Sequence, residues 1–90
     1  MSAAALEALK ARFVVRCAED RARLAEAAAA GDADALKSLS HKLAGAAGTF
    51  GFPALSTAAM AVEDALDDGE APGPELLAAL DARLAETARP

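Results

Sequence analysis

Residues 36–50 have the sequence LKSLSHKLAGAAGTF, in which apolar side chains recur with the period of an α-helix. At 3.6 residues per turn, the larger apolar side chains and one alanine share one face: Leu36, Leu39, Leu43, Ala47 and Phe50. The opposite face is polar or carries no side chain: Asp34, Ser38, His41, Gly45 and Gly48. The only histidine of the chain is therefore expected to point to solvent from the middle of a helix.

Two glycines follow His41 on its own face, one turn and two turns further along the helix. Each glycine in a helix interior costs about 1 kcal/mol relative to alanine, because glycine loses more backbone freedom on folding. Without side chains, Gly45 and Gly48 would leave a flat surface beside the imidazole that another protein can approach closely. The alternative interpretation is close packing of small residues against a neighbouring helix, which does not exclude the first.

The composition favours an all-α fold in a single domain that comprises residues 1–90. The 90 residues are 54% hydrophobic but only 3% aromatic, and alanine and leucine dominate. These residues have high helix propensity, whereas β-branched and aromatic residues, which favour strands, are few. A chain of this length is long enough to support one hydrophobic core without metals or disulfides.

Capping and breaking residues divide the chain into four amphipathic helices, at about residues 3–29, 33–48, 53–67 and 74–88, with continuation of the second through Thr49 as the alternative. Gly31 ends the first helix, Asp32 is an N-cap for the second, and Pro53 and Pro74 suit the first turns of the last two. Short loops between such helices predict an antiparallel up-and-down four-helix bundle. Its core is expected to contain the inward leucines, Phe13, Phe50, Val62 and one of Met60 and Phe52. The apolar spacing of the first helix includes Leu6, Leu9, Phe13, Cys17, Leu24 and Ala28.

Composition also argues against several classes of function. The single cysteine, Cys17, has no partner for a disulfide or a zinc site and is expected to be a small core residue. A net charge of -5, with the arginines of the first helix interleaved with Glu19, Asp20 and Glu26 as on a solvated face, disfavours nucleic acid. No apolar run is long enough for a membrane span, and the N-terminus lacks a signal peptide. A cytoplasmic protein is therefore expected. The initial Met and the terminal helix favour a complete protein over an excised domain.

An exposed imidazole at neutral pH is mostly unprotonated and offers one nitrogen lone pair as a nucleophile. Such a group can accept a phosphoryl group from an acyl phosphate and pass it on. The chain has no nucleotide-binding loop and no recognisable magnesium site, so a partner would have to supply the metal and the catalytic groups. Lys37 and Lys42 are candidates to stabilise the phosphoryl charge, Lys37 at the better angle, and Ser38 would offer a hydroxyl at the rim.

This region resembles the histidine-containing phosphotransfer (HPt) domain family of bacterial and eukaryotic phosphorelays. The family pattern of an apolar residue, glycine and small residues after the histidine is met by Leu43, Gly45, Ala46, Gly48 and Gly51, and continues into Phe52 and Leu55. The resemblance covers roughly residues 24–66. One departure concerns Ala44, which stands where many members have lysine, so a phosphate-stabilising lysine cannot be transferred to that position.

The resemblance implies that His41 accepts a phosphoryl group from a receiver-domain aspartate of a response regulator or hybrid kinase and relays it to a second receiver. It also implies no kinase activity and no cofactor in this chain, because the Mg²⁺ belongs to the receiver. The surface that receives phosphate and partner would comprise Lys37, Ser38, Lys42, Ala44, Gly45 and Gly48. The absence of a large exposed apolar stripe in the sequence favours a monomer.

The alternative function is that of a helical adaptor or dimerisation module, which binds a signalling partner through the His41 face without phosphate transfer. Taken alone, a surface histidine is usually inert, and Lys37 and Lys42 can be ordinary solvated charges. A small metal-binding or hydrolytic enzyme is disfavoured, because one histidine and one cysteine on different helices do not form a nucleophile and base pair. Labelling of His41 by a phosphorylated receiver would separate relay from adaptor.

Overall fold

The structure, a computed structural model, describes residues 2–89 and contains four helices: α1 (Ala3–Ala30), α2 (Ala33–Phe50), α3 (Pro53–Asp67) and α4 (Pro74–Ala88). Each helix packs against the next one along the chain, and α4 packs against α1. This arrangement is the antiparallel up-and-down four-helix bundle that the sequence predicts. The long axis of the bundle measures 40 Å, about the length of the 28-residue helix α1 at 1.5 Å per residue.

Glycines in the left-handed conformation end the first two helices. Gly31 has φ 61° and Gly51 has φ 84°, a region that residues with a Cβ rarely adopt. Helix α2 continues to Phe50, one or two residues beyond the predicted end at Gly48 or Thr49. The extension places Phe50 against Phe13, with ring centroids 5.5 Å apart, and the amide of Phe52 then donates to the carbonyl of Ala47. Helix α1 likewise ends one residue later than predicted.

The core forms where the apolar stripes of the four helices meet, and its buried apolar members are Phe13, Cys17, Leu24, Ala27, Leu36, Leu43, Ala47, Leu55, Ala59, Val62, Leu80 and Leu84. Of the two alternatives, Phe52 is half-buried against Phe13, whereas Met60 is 46% exposed. Leu6 and Leu9, which continue the apolar spacing of α1, are exposed, because residues 2–9 lie beyond the region that the other helices cover.

The charged residues of α1 do not all lie on a solvated face, which corrects the expectation from the sequence. Asp20 is buried, and its carboxylate accepts a hydrogen bond of 2.9 Å from the guanidinium of Arg23. Arg21 turns the other way and forms a two-bond ion pair with Asp81 on α4. Helix α1 is therefore tied to α4 by a surface ion pair as well as by apolar contacts.

Candidate functional site

The imidazole of His41 lies on the outer face of α2, and its side chain is 76% exposed. The residues before and after it explain this position, because Ser40 and Leu43 are buried in the bundle while His41 and Lys42 are not. The expectation of an exposed histidine in the middle of a helix is confirmed.

A carboxylate from the next helix holds one nitrogen of this ring. Glu63 Oε2, on α3, lies 2.7 Å from His41 Nδ1, and the Glu63 side chain is only 18% exposed. In the neutral ring, Nδ1–H then donates to Glu63, and the lone pair remains on Nε2. Within residues 2–89, Nε2 has no hydrogen-bond partner, so the nitrogen with the lone pair is the accessible one.

His41 and Glu63 lie in a shallow depression that we call the histidine groove, lined by Asp34, Lys37, Ser38, His41, Glu63 and Asp67. Lys37 Nζ lies 2.7 Å from Asp67 Oδ1 within it. The hydrogen bond to Asp67 and the charge of that carboxylate raise the pKa of Lys37 above its usual value. The predicted phosphate ligand therefore already has an anionic partner.

The structure separates Lys42 from this group of residues. Lys42 lines a different groove, between α1 and α2, together with Arg16, Asp20 and Arg23. Ser38 borders both grooves and is exposed. Of the two candidate lysines, only Lys37 shares a groove with His41.

The two glycines and Ala44 differ in their surroundings. A Cβ at Gly45 would meet no atom within 4 Å, whereas a Cβ at Gly48 would lie 3.7 Å from the Ser56 hydroxyl. That hydroxyl donates a hydrogen bond of 2.9 Å to the carbonyl of Ala44, which is half-buried. Gly48 and Ala44 thus lie at the contact with α3, while Gly45 lies on open surface and has no packing partner that requires glycine.

Three polar residues of α3 were not predicted as part of the site: Ser56, Glu63 and Asp67. They follow one another at intervals of seven and four residues, which places them on one face of α3. This polar stripe was a usable signal, since a helix antiparallel to α2 would turn such a face toward the polar stripe of α2.

One further polar group nearby is Ser40, whose hydroxyl is buried and has no hydrogen-bond partner among residues 2–89.

In the part of the chain that the structure describes, no group of three or more histidine, cysteine, aspartate or glutamate side chains is arranged to hold a metal ion. Among residues 2–89, no helix is both long and apolar enough to cross a membrane.

A four-helix bundle that displays one imidazole on its second helix, with Nδ1 bound and Nε2 free, has the form of a phosphoacceptor module. The family model for the Hpt domain matches residues 8–89, so the chain belongs to the Hpt domain family. The family assignment made from residues 24–66 is confirmed and extends over nearly the whole chain. Hpt domains are histidine phosphotransfer modules of two-component signalling, not kinases, and they interact with response-regulator receivers and histidine kinases. Comparison with curated proteins and with solved structures gave no match.

Proposed function

We propose that His41 accepts a phosphoryl group on Nε2 from the aspartyl phosphate of a receiver domain and relays it to the aspartate of a second receiver. The observation that supports this proposal is an exposed imidazole with a free Nε2 in a chain that belongs to the Hpt domain family. The only histidine of the chain is exposed, and Glu63 leaves Nε2 as the nitrogen that holds the lone pair.

In the forward step, the Nε2 lone pair forms a bond to phosphorus while the bond from phosphorus to the aspartyl oxygen breaks, and the electron pair of that bond remains on the aspartate. The ring gains positive charge as Nε2 gives up its lone pair. The carboxylate of Glu63 stabilises that charge through the Nδ1–H bond, as a charge-assisted hydrogen bond. The reverse sequence delivers the phosphoryl group to the second receiver and restores the neutral imidazole.

The receiver supplies the Mg²⁺ in this proposal, and this chain supplies the nucleophile and the docking surface. Gly45 leaves the surface one turn beyond His41 open, which allows the phosphorylated aspartate to approach Nε2 closely. Ala44 and Gly48 lie where α2 meets α3, and Ser38 lies at the rim of the groove. We further propose that the chain acts as a cytoplasmic monomer whose upstream partner is a hybrid or sensor histidine kinase.

The substitution His41→Gln tests the proposal. We expect it to abolish acceptance of label from a phosphorylated receiver and to leave helicity and thermal melting nearly unchanged, because the side chain is mostly exposed. The parent chain should carry acid-labile, base-stable phosphate. Measurement requires phosphate-transfer assays and circular dichroism on the same preparations.

Two results would contradict the proposal. Label retained by the His41→Gln chain would place the phosphate on another residue. A stable complex between the parent chain and a phosphorylated receiver, with no label on the chain, would instead support the adaptor function.

A further inference from the structure

The cation nearest to His41 within its groove is held by an acidic residue of the next helix. Lys37 lies one turn before His41 on α2, and its ammonium contacts the carboxylate of Asp67 on α3 at 2.7 Å. The side chains of Lys37 and Asp67 are 54% and 47% exposed, so both remain accessible to a group added at the histidine.

Within residues 2–89, the histidine groove contains one basic residue besides the histidine, Lys37, among several acidic ones. Of the residues that line it in the described part of the chain, Lys37 is the only lysine or arginine, while Asp34, Glu63 and Asp67 are acidic. The position one turn after His41 is occupied by Ala44 and Gly45, which carry no charge. A phosphoryl group on Nε2 would therefore enter an acidic groove in which the one available cation is already paired.

We propose that Lys37 exchanges partners during the relay, binding Asp67 when His41 is free and the phosphoryl group when His41 is modified, with Asp67 competing against the phosphoryl group. This inference rests on the proposed function. Lys37 contacts the phosphoryl group directly in this scheme, and Asp67 limits how firmly the chain holds that group.

The exchange is physically reasonable because an exposed ion pair contributes little and breaks readily. A phosphoryl group offers three oxygen acceptors and more negative charge than one carboxylate. The flexible lysine stem allows the ammonium to move between the two without a change in the backbone. The competition would leave the phosphohistidine less stabilised than it would be with an unopposed lysine, which favours onward transfer.

The test uses the full chain phosphorylated with phosphoramidate, a small-molecule donor that needs no protein partner. ³¹P NMR follows the second ionisation of the phosphoryl group, whose dianion Lys37 stabilises. We expect Asp67→Asn to increase the acidity of the phosphoryl group about threefold, or half a pKa unit, because Lys37 is released to it. Lys37→Met should have the opposite effect.

Two controls separate partner exchange from a general change of charge. Asp34→Asn removes the same charge from the same groove without breaking the pair that Lys37 forms with Asp67, and should have a smaller effect. In a Lys37→Met background, Asp67→Asn should have no more effect than Asp34→Asn, because only the general change of charge remains when Lys37 is absent.

The proposal is overturned if Asp67→Asn shifts the ionisation no more than Asp34→Asn, or if the full effect of Asp67→Asn persists without Lys37. Those results would leave the phosphoacceptor role intact. A parent chain whose His41 takes no phosphoryl group from either phosphoramidate or a receiver would reject the proposed function and this inference together.

Discussion

At the scale of single residues, the contact between His41 and Glu63 determines which ring nitrogen is free to react. Helical periodicity places His41 on the outer face of α2, and this expectation came directly from the sequence. Helical periodicity does not show which residue of α3 faces His41, since that depends on the register between α2 and α3. Glu63 and Asp67 were missed for this reason.

Replacing Glu63 by glutamine should slow phosphoryl transfer to His41 about tenfold while leaving the bundle folded. The amide keeps the size of the side chain but replaces a charge-assisted hydrogen bond by a neutral one, so the ring loses stabilisation as it becomes positive. The rate of label transfer from a phosphorylated receiver measures the effect.

Asp64→Asn is the matched control, because Asp64 is the next residue on α3, is exposed and does not contact His41. Equal rates for the Glu63→Gln chain and the Asp64→Asn chain would mean that Glu63 has no specific influence on the ring.

At the scale of helices, most boundaries could be predicted because capping residues mark them locally. Asp32, Gly31, Pro53 and Pro74 each begin or end a helix at or within one residue of the predicted place. The end of α2 is the exception. The sequence places this end at about Gly48, but the helix continues to Phe50, whose ring contacts that of Phe13.

The outer face of α2 gives a second prediction, which concerns Gly45. Gly45→Glu should reduce transfer to His41 strongly without unfolding the bundle, because the new side chain would extend into solvent and oppose both the phosphoryl group and an approaching partner. Gly45→Ala should keep transfer close to the parent rate and raise the melting temperature slightly, since it improves helix propensity. Transfer assays and thermal melts on both variants distinguish these effects.

An unchanged transfer rate for Gly45→Glu would show that close approach over this glycine is unnecessary. A large loss of helicity would show that Gly45 is packed against other atoms in solution, so that a larger side chain there disrupts the bundle.

At the scale of the whole molecule, the composition and the short loops were enough to predict the four-helix bundle. Each helix contacts only its two neighbours in the ring, as the short connections require. Alanines such as Ala47 and Ala59 are fully buried, so helices pack closely around a core formed largely by leucines and Phe13.

The burial of Cys17 predicts how the stability of the bundle depends on high pH. Burial, with a contribution from the charge of Asp20, raises the pKa of the Cys17 thiol from 9.0 to about 11. The folded chain therefore keeps this proton at a pH where the unfolded chain loses it. The contribution of the protonated thiol to the free energy of unfolding is fully present below pH 9 and is lost as the pH rises toward 11.

Urea denaturation at several pH values should show this loss in the parent chain. A Cys17→Ala chain should be less stable throughout but should lose less stability between pH 9 and 11. Parallel curves for the two chains would mean that the thiol ionises equally in both states.

The turn at Gly51 and Phe52 has a consequence for insertions and deletions. His41 and Glu63 are each eleven residues from Phe52, and Lys37 and Asp67 are each fifteen residues from it. In each pair, the two members are therefore the same number of residues from one turn, so the register between α2 and α3 aligns both pairs. One residue added within α2 after His41, or within α3 before Glu63, would rotate one member of each pair by about 100° and separate both pairs at once. The loop at residues 68–73 lies outside both segments, so changes of length are compatible with the site there and not within these parts of α2 and α3.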